Sequence, residues 1–326
     1  MSQTNPGVLL VGGAGYIGSH LGLFLLDRGL PCVTLDSLER GHRDAAQGEL
    51  LIGDLRDPAS VRNALAGRRW PLVVHFAAYC YVGESAERPA DYYENNVVGT
   101  YNLLRIGLEH GLERIIFSST CSTYGVPQTD RIDETHPQAP INVYGQTKLT
   151  VERMLEAFRV QHGIGYGLLR YFNAAGADPR GRCGERHDPE THLVPLAIEA
   201  ALGRRPELVV HGDDYPTPDG TCIRDYIHVA DLADAHWRVA ERLQPGESLV
   251  YNLGTEHGNS VREVLDQVAE VGGRAVPHRI GPRRPGDPPR LVAAATRARE
   301  EVGWVPRHDI RSIIETAWRW HADRAG

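Results

Sequence analysis

Tyr144 and Lys148 stand four residues apart in the stretch Tyr-Gly-Gln-Thr-Lys. On a helix that spacing puts both side chains on one face, a turn from each other. A free phenol titrates near about 10 and is a poor base at neutral pH, whereas an adjacent ammonium favours the phenolate. The pair therefore reads as a general base tuned by its neighbour. Upstream, the run Arg114 to Ser119 delivers Ser118, Ser119 and Thr120 to a strand end. Hydroxyls in such a place serve chemistry or, in the other reading, only a turn or a cap. A Tyr and a Lys at this spacing arise by chance on many helices, so the weight of the pair rests on what precedes it.

What precedes it is a strand, a glycine turn and a helix start. Val8 to Val11 is an apolar run short enough for a buried parallel strand, and it breaks directly into Gly12, Gly15 and Gly18. One glycine permits the tight turn, one lets backbone approach a pyrophosphate, and one lets the helix pack close to the strand. The phosphates then meet unpaired N–H groups and the positive end of the helix dipole. A plain glycine turn of another α/β protein is the alternative. Pro31 to Leu35 reads as a second strand ending at Asp36, placed as the acid that hydrogen-bonds an adenosine ribose. A carboxylate there repels a 2′-phosphate, which points to NAD rather than NADP; Arg40 and Arg43 nearby argue the other way. A bound cationic nicotinamide would favour the Tyr144 phenolate further.

The elements that must hold these residues alternate. Leu50 to Leu55 reads as a third strand with Asp54 at its end, an acceptor for an adenine amino group or a helix cap before Pro58. Leu72 to Ala78 is the next buried strand, with small residues where backbone approaches a ligand. Helical stretches at Ser60 to Ala66 and Val97 to His110 complete the pattern of an α/β, doubly wound, Rossmann-like parallel sheet, which binds ligands at its carboxyl edge.

The chain has 326 residues, enough for two domains. Its 41% hydrophobic and 24% charged residues are ordinary for a globular protein, and a net charge of −7 gives no reason to expect nucleic acid or an anionic membrane as partner. Cys32, Cys80, Cys121, Cys183 and Cys222 are odd in number, widely separated and form no CxxC, so neither a disulfide framework nor a metal site is expected. No signal peptide or membrane span is visible, and the expected compartment is the cytoplasm. From Asn173 onward the periodicity is less regular, as in a smaller substrate-binding domain. There, Asp225 to Leu243 reads as strand and helix, and Ser248 to Leu253 as a strand. Arg224 and Arg284 are candidates for a pyrophosphate, because guanidinium takes its oxygens in bidentate fashion. Surface salt bridging is the other reading. Asp287 would then take a ribose hydroxyl.

Gly-Gly-Ala-Gly-Tyr-Ile-Gly-Ser-His at 12–20, Val-Gly-Glu-Ser at 82–85, Asn-Asn-Val at 95–97, Tyr-Gly-Gln-Thr-Lys at 144–148 and Arg-Tyr-Phe-Asn at 170–173 resemble the extended short-chain dehydrogenase/reductases. Within them, the stretch 214–229, Asp-Tyr-Pro-Thr-Pro-Asp-Gly-Thr-Cys-Ile-Arg-Asp-Tyr-Ile-His-Val, and Pro-Arg-Arg-Pro-Gly-Asp at 282–287 resemble the UDP-glucose 4-epimerases. The likeness runs from Val8 to about Trp320. It implies an NAD-binding domain over 1–175, with about 225–255 returning to it, and a UDP-sugar-binding domain over 176–326. It implies reversible inversion at C4 of a UDP-hexose through a 4-keto sugar, with Tyr144, Lys148 and Thr120 catalytic.

Toward NAD the resemblance places Gly12, Gly15, Tyr16, Ile17, Gly18, Asp36, Asp54, Leu55, Phe76, Ala77, Ala78, Asn95, Tyr144, Lys148 and Tyr171. Toward the sugar nucleotide it places Thr120, Tyr144, Asn173, His192, Leu193, His211, Arg224, Arg284, Asp287 and Leu291. At the position of Leu291 the family walls the hexose pocket: tyrosine restricts it to unacetylated sugars, and a small residue admits an N-acetyl group. Core packing is the other reading of that leucine. Cys80 departs from a family lysine near the cofactor, and His192 from an asparagine beside the nucleotide. A related 4,6-dehydratase or decarboxylase carries an acid directly after Thr120, where this chain has Cys121, Ser122 and Thr123. A UDP-xylose/arabinose or UDP-glucuronate epimerase and a non-catalytic NAD-binding sensor are the remaining alternatives. A homodimer is expected from the family alone.

Overall fold

The computed structural model describes residues 7–284 and 287–323. Pro285 and Gly286, inside the Pro-Arg-Arg-Pro-Gly-Asp segment, lie outside the described residues. The chain divides into two compact units.

The first gathers the chain up to Gly125, Pro137–Arg170 and Ala233–Tyr251. Its frame is a seven-stranded sheet. Six strands come in chain order: β1 (Val8–Val11), β2 (Cys32–Asp36), β3 (Glu49–Ile52), β4 (Leu72–His75), β5 (Arg114–Thr120) and β6 (Gly165–Tyr171). The seventh, Ser248–Leu253, takes the edge beside β6, giving the order Ser248–Leu253, β6, β5, β4, β1, β2, β3. β1 pairs in parallel with β2 and β4, β2 with β3, and β4 with β5. All four residues of β1 and of β4 are buried, as helices on both faces of a parallel sheet require. Leu9, Val11, Val33, Leu35, Val73, Ile115 and Phe117 form the sheet's share of the core, packed against Val61, Leu65, Leu103, Leu104, Val151 and Leu155 from helices. Each such side chain contributes about 1.5–3 kcal/mol of burial.

Caps set where the helices begin. Asp57 accepts from the Ala59 amide and Pro58 fills the first turn of the Pro58–Leu65 helix, so the cap before Pro58 is Asp57 and not Asp54. The Asn142 side chain accepts from the Gly145 amide and starts the Val143–His162 helix, which ends at Gly163 with φ +71°. A π-helical turn, Tyr93–Val98, runs into the Gly99–Glu109 helix.

The second unit gathers Val126–His136, Tyr171–Leu232 and the chain from Asn252 onward. The strand Ile223–His228 is central to a four-stranded sheet, antiparallel to Gly258–Ser260 and parallel to Arg290–Leu291 and Asn173–Ala175. This corrects the expectation that the strand near Asp225 returns to the large sheet. Of the stretch 225–255, Ser248–Leu253 joins that sheet, and only Ala233–Tyr251 belongs to the first unit. A short run of strand-forming residues announces a strand and not its partner. Val194, Ile198, Val264, Leu265, Val268, Ile313 and Ile314 build a core of this unit's own.

Candidate active site

The chemistry-bearing residues of the first unit come from the carboxyl ends of β1, β2, β4 and β5 and from the start of the Val143–His162 helix. At β1 three glycines of the loop have separate physical reasons. Gly12 sits at φ +78°, and a Cβ there would meet the Ala77 amide nitrogen at 2.4 Å. At Gly18 a Cβ would meet the Gly12 carbonyl oxygen at 2.5 Å, so only glycine lets this helix approach so closely. Gly15 caps the Tyr16–Leu26 helix with no side-chain cap, and a Cβ there would meet nothing closer than Gly12 O at 3.4 Å. The amide end of that helix is thus left to backbone donors, and Gly15 keeps their approach open, which suits a dinucleotide pyrophosphate. Tyr16 and Ile17, half-buried, form its first turn.

Asp36 ends β2 and is buried. Oδ2 accepts from the Ala14 amide at 3.0 Å and Oδ1 from the Leu38 amide at 2.8 Å, so the acid is fixed against the glycine loop. Burial raises its pKa, while these two amides act against the rise. Arg40, the residue that would have suited a 2′-phosphate, is held in a fork by Glu84 at 2.7 and 2.9 Å and stacks over Tyr79 and Tyr81. Arg43 is exposed on a short 3-10 turn. The residues present fit NAD.

Asp54 lies two residues beyond β3 and is taken by Arg56, whose backbone N, Nε and Nη2 donate to it at 2.8, 3.0 and 2.7 Å. Arg56 holds that carboxyl below its ordinary pKa. Leu55 is buried, its carbonyl accepting from Asn102 at 2.9 Å. β4 ends at His75, earlier than expected, because the amides of Phe76 and Ala77 both turn to the Val11 carbonyl, at 2.7 and 3.1 Å. Phe76, Ala77 and Ala78 follow, half-buried. Asn95 lies in the π-helical turn and donates to Asn96 at 3.0 Å. Asn96 was not singled out from sequence, yet it is buried, accepts from the Tyr79 amide, and donates to Tyr79 O and Thr147 Oγ1. It fixes the strand-end loop to the helix that carries Tyr144. Tyr171 is half-buried at the end of β6.

Tyr144 and Lys148 occupy the first turns of the Val143–His162 helix. Tyr144 is half-buried and Lys148 is 2% exposed. The Lys148 Nζ donates to the Ser118 carbonyl at 2.8 Å and lies 4.7 Å from the Phe117 ring centroid and 5.9 Å from that of Tyr144. Burial pulls its pKa down to about 8, with Cys80 and Glu152 opposing. Thr120 is buried, and its hydroxyl accepts from the Ser122 amide at 3.1 Å, capping the turn Cys121–Thr123. The cap reading of this hydroxyl therefore holds, and its proton remains available for donation.

Behind them lies a buried network that sequence spacing did not reveal. Glu152, one turn after Lys148, accepts from Ser119 Oγ at 2.5 Å and from Arg170 at 2.9 and 2.7 Å, while Arg170 also donates to Tyr124 Oη. Ser119 is thus a fastener of the strand end.

In the second unit, Arg224 is buried and ion-paired with Asp287, so surface salt bridging does not describe it. Burial disfavours its charge, and Asp287 restores it. Next to it, Asp225 accepts from the amides of Thr255, Glu256 and Ala293, fixing the strand from both sides. Leu291 is half-buried and lies beside Arg224 in register. Asn173 donates to Asp225 O at 3.0 Å. His211 Nδ1 lies 3.3 Å from the Pro282 carbonyl, and burial together with the nearby Arg284 lowers its pKa. Arg284 is exposed. His192 and Leu193 open the Leu193–Ala201 helix, with His192 Nδ1 2.8 Å from both Glu185 and Glu190.

Residues 8–254 match the NAD dependent epimerase/dehydratase family. A UDP-glucose 4-epimerase of Rhizobium meliloti (strain 1021) is 50% identical over 324 residues, 98% of each chain. The crystal structure of UDP-glucose 4-epimerase from Brucella ovis in complex with NAD superposes with a TM-score of 0.92 at 48% identity, covering 97% of this chain and 98% of that one. The enzyme from Bifidobacterium longum, in complex with NAD+ and UDP, gives 0.93 at 36% identity with the same coverage. The chain belongs to the NAD dependent epimerase/dehydratase family and, within it, to the group of the UDP-glucose 4-epimerases.

Proposed function

We propose that this protein interconverts UDP-galactose and UDP-glucose by inverting C4 through a 4-keto sugar, with NAD held tightly throughout. The observation that carries the reading is the pair Tyr144 and Lys148 on one helix face, with the Lys148 ammonium buried against the Ser118 carbonyl. At neutral pH Lys148 keeps its proton, since burial brings it down only to about 8. Its charge beside the Tyr144 ring lowers the cost of a phenolate. Tyr144 then takes the proton of the 4-hydroxyl, directly or by way of the Thr120 hydroxyl, and returns it in the second half of the cycle. NAD, when bound, supplies a site that accepts the C4 hydrogen as hydride and gives it back.

Gly12, Gly15 and Gly18 admit the pyrophosphate of that cofactor, and Tyr16 and Ile17 open the helix that receives it. Asp36 takes the adenosine ribose. Asp54, Leu55, Phe76, Ala77, Ala78 and Asn95 line its remaining length, which makes the first unit the cofactor domain, and Tyr171 at the end of β6 adds to that lining. Arg224 and Arg284 hold the UDP pyrophosphate while the 4-keto sugar turns, and Asp287 exchanges its Arg224 partner for a ribose hydroxyl. His192, Leu193, Asn173 and His211 complete the nucleotide contacts of the second unit. Elimination chemistry is disfavoured: Cys121, Ser122 and Thr123 offer no acid, and the Glu152 carboxylate is buried and occupied by Arg170.

The protein acts in the cytoplasm as a homodimer in this reading, which rests on the family likeness. No helix of the described residues is long and apolar enough to cross a membrane. The test is a coupled assay on a panel of UDP-sugars without added NAD. UDP-galactose should yield UDP-glucose, and denatured protein should release NAD. A requirement for NAD consumed stoichiometrically contradicts the proposal.

A further inference from the structure

Between the strand Asn173–Ala175 and the Leu193–Ala201 helix, the spacing Glu185-x-His187-x-x-Glu190-x-His192 gathers two carboxylates and two imidazoles, whose nearest ligand atoms all lie within 4.8 Å of one another. We propose that these four side chains form a divalent transition-metal site, of the kind that takes zinc. The reading does not depend on the sugar-nucleotide chemistry above.

Three features of the cluster carry it. First, Glu185 is buried, its side chain 4% exposed, and the Glu190 side chain is 10% exposed. Two carboxylates withdrawn from water into one place need compensating charge, and a divalent ion supplies it in full. Secondly, both imidazoles turn the same nitrogen inward. His187 Nδ1 lies 3.0 Å and His192 Nδ1 2.8 Å from the same Glu185 oxygen, and His192 Nδ1 is also 2.8 Å from Glu190. If hydrogen bonds alone held the cluster, both nitrogens would have to be protonated and donate to one oxygen. With an ion between them, both lone pairs and both carboxylates become ligands.

Thirdly, the donor set is of mixed nitrogen and oxygen type, which suits zinc, cobalt or nickel better than calcium or magnesium. Ligands about 2 Å from a common ion stand at most about 4 Å apart, so side-chain shifts of under about 1 Å close the site. The Glu190 carboxylate is already oriented, since Oε1 accepts from the Thr191 and His192 amides at 2.7 and 2.8 Å. The ion would tie the 185–192 segment to the first turn of the Leu193–Ala201 helix and so fix the His192 ring.

The probe is Co2+, whose visible d–d bands report nitrogen and oxygen ligands in a four-coordinate site. Tag-free protein is stripped with a chelator, titrated with Co2+, then challenged with Zn2+. One equivalent of Co2+ should give intense bands that Zn2+ abolishes, and either ion should raise Tm. His187→Ala should lose the bands and the shift, as should Glu190→Gln, whose amide oxygen keeps the two backbone hydrogen bonds. Wild-type protein without bands or Tm shift overturns the proposal, as does a Co2+ spectrum that survives both substitutions.

Discussion

At the scale of single residues the proton transfer rests on Tyr144 and on the ammonium beside it. Tyr144→Phe keeps the ring and removes the hydroxyl, so fold and NAD content should persist. Turnover should fall by at least about a hundredfold, the low end of what general base catalysis contributes. Near-normal kcat in that variant would remove Tyr144 from the mechanism. Lys148 makes a prediction of a different kind, because burial lowers it to about 8 from 10.5. Between those values the unfolded chain binds the proton that the folded chain has lost, so folding becomes more favourable as pH rises through that window. The gain belongs above the unfolded pKa and is lost as pH falls through about 8. Its size in the cofactor-free protein is up to about 3 kcal/mol. Denaturant titrations on either side of the window should show this slope in the wild type and its absence in Lys148→Met. Equal slopes would show that Lys148 does not titrate there. Tyr144 and Lys148 were legible because one helical turn brings them together. Glu152 was not: its partners Ser119 and Arg170 lie 33 and 18 residues away and meet it only through tertiary packing.

Individual elements place those residues, and the turn from β1 into the Tyr16–Leu26 helix is closely constrained. Gly18→Ala would put a Cβ 2.5 Å from Gly12 O and 2.8 Å from Gly13 Cα, both backbone atoms. The helix must then back away from the strand, at a cost of about 1–3 kcal/mol. NAD released per chain should fall together with the denaturation midpoint; full NAD content in Gly18→Ala would contradict the tight packing assigned here. Strand ends record how far local pattern reaches. β1 and Ser248–Leu253 occupy the positions their apolar runs imply, because a buried strand needs little more than that run. β3 ends at Ile52 and β4 at His75, short of the expected Leu55 and Ala78. In β4 the backbone leaves the ladder when the Phe76 and Ala77 amides both turn to Val11 O, a tertiary contact that no run of residue types announces.

For the molecule as a whole, the large sheet could be read from alternating strands and helices, but membership of the smaller one could not. The strand Ile223–His228 is buried along its whole length, as β1 and β4 are, and its place follows from Asp225 binding the Thr255, Glu256 and Ala293 amides. That same fixture sets Leu291 beside Arg224. Leucine there should admit UDP-N-acetylglucosamine alongside UDP-glucose, and Leu291→Tyr should lose the acetylated substrate selectively. Values of kcat/KM for both sugars in both proteins check this. Equal losses on the two would assign Leu291 to packing. The central claim is that one hydrogen leaves C4 as hydride and returns to the opposite face of the same carbon, never meeting water. UDP-galactose carrying deuterium at C4, converted in ordinary water without added NAD, tests it most directly. The product should be UDP-glucose with the deuterium retained at C4; loss of the label to solvent, or its appearance in free cofactor, would contradict the proposed hydride transfer.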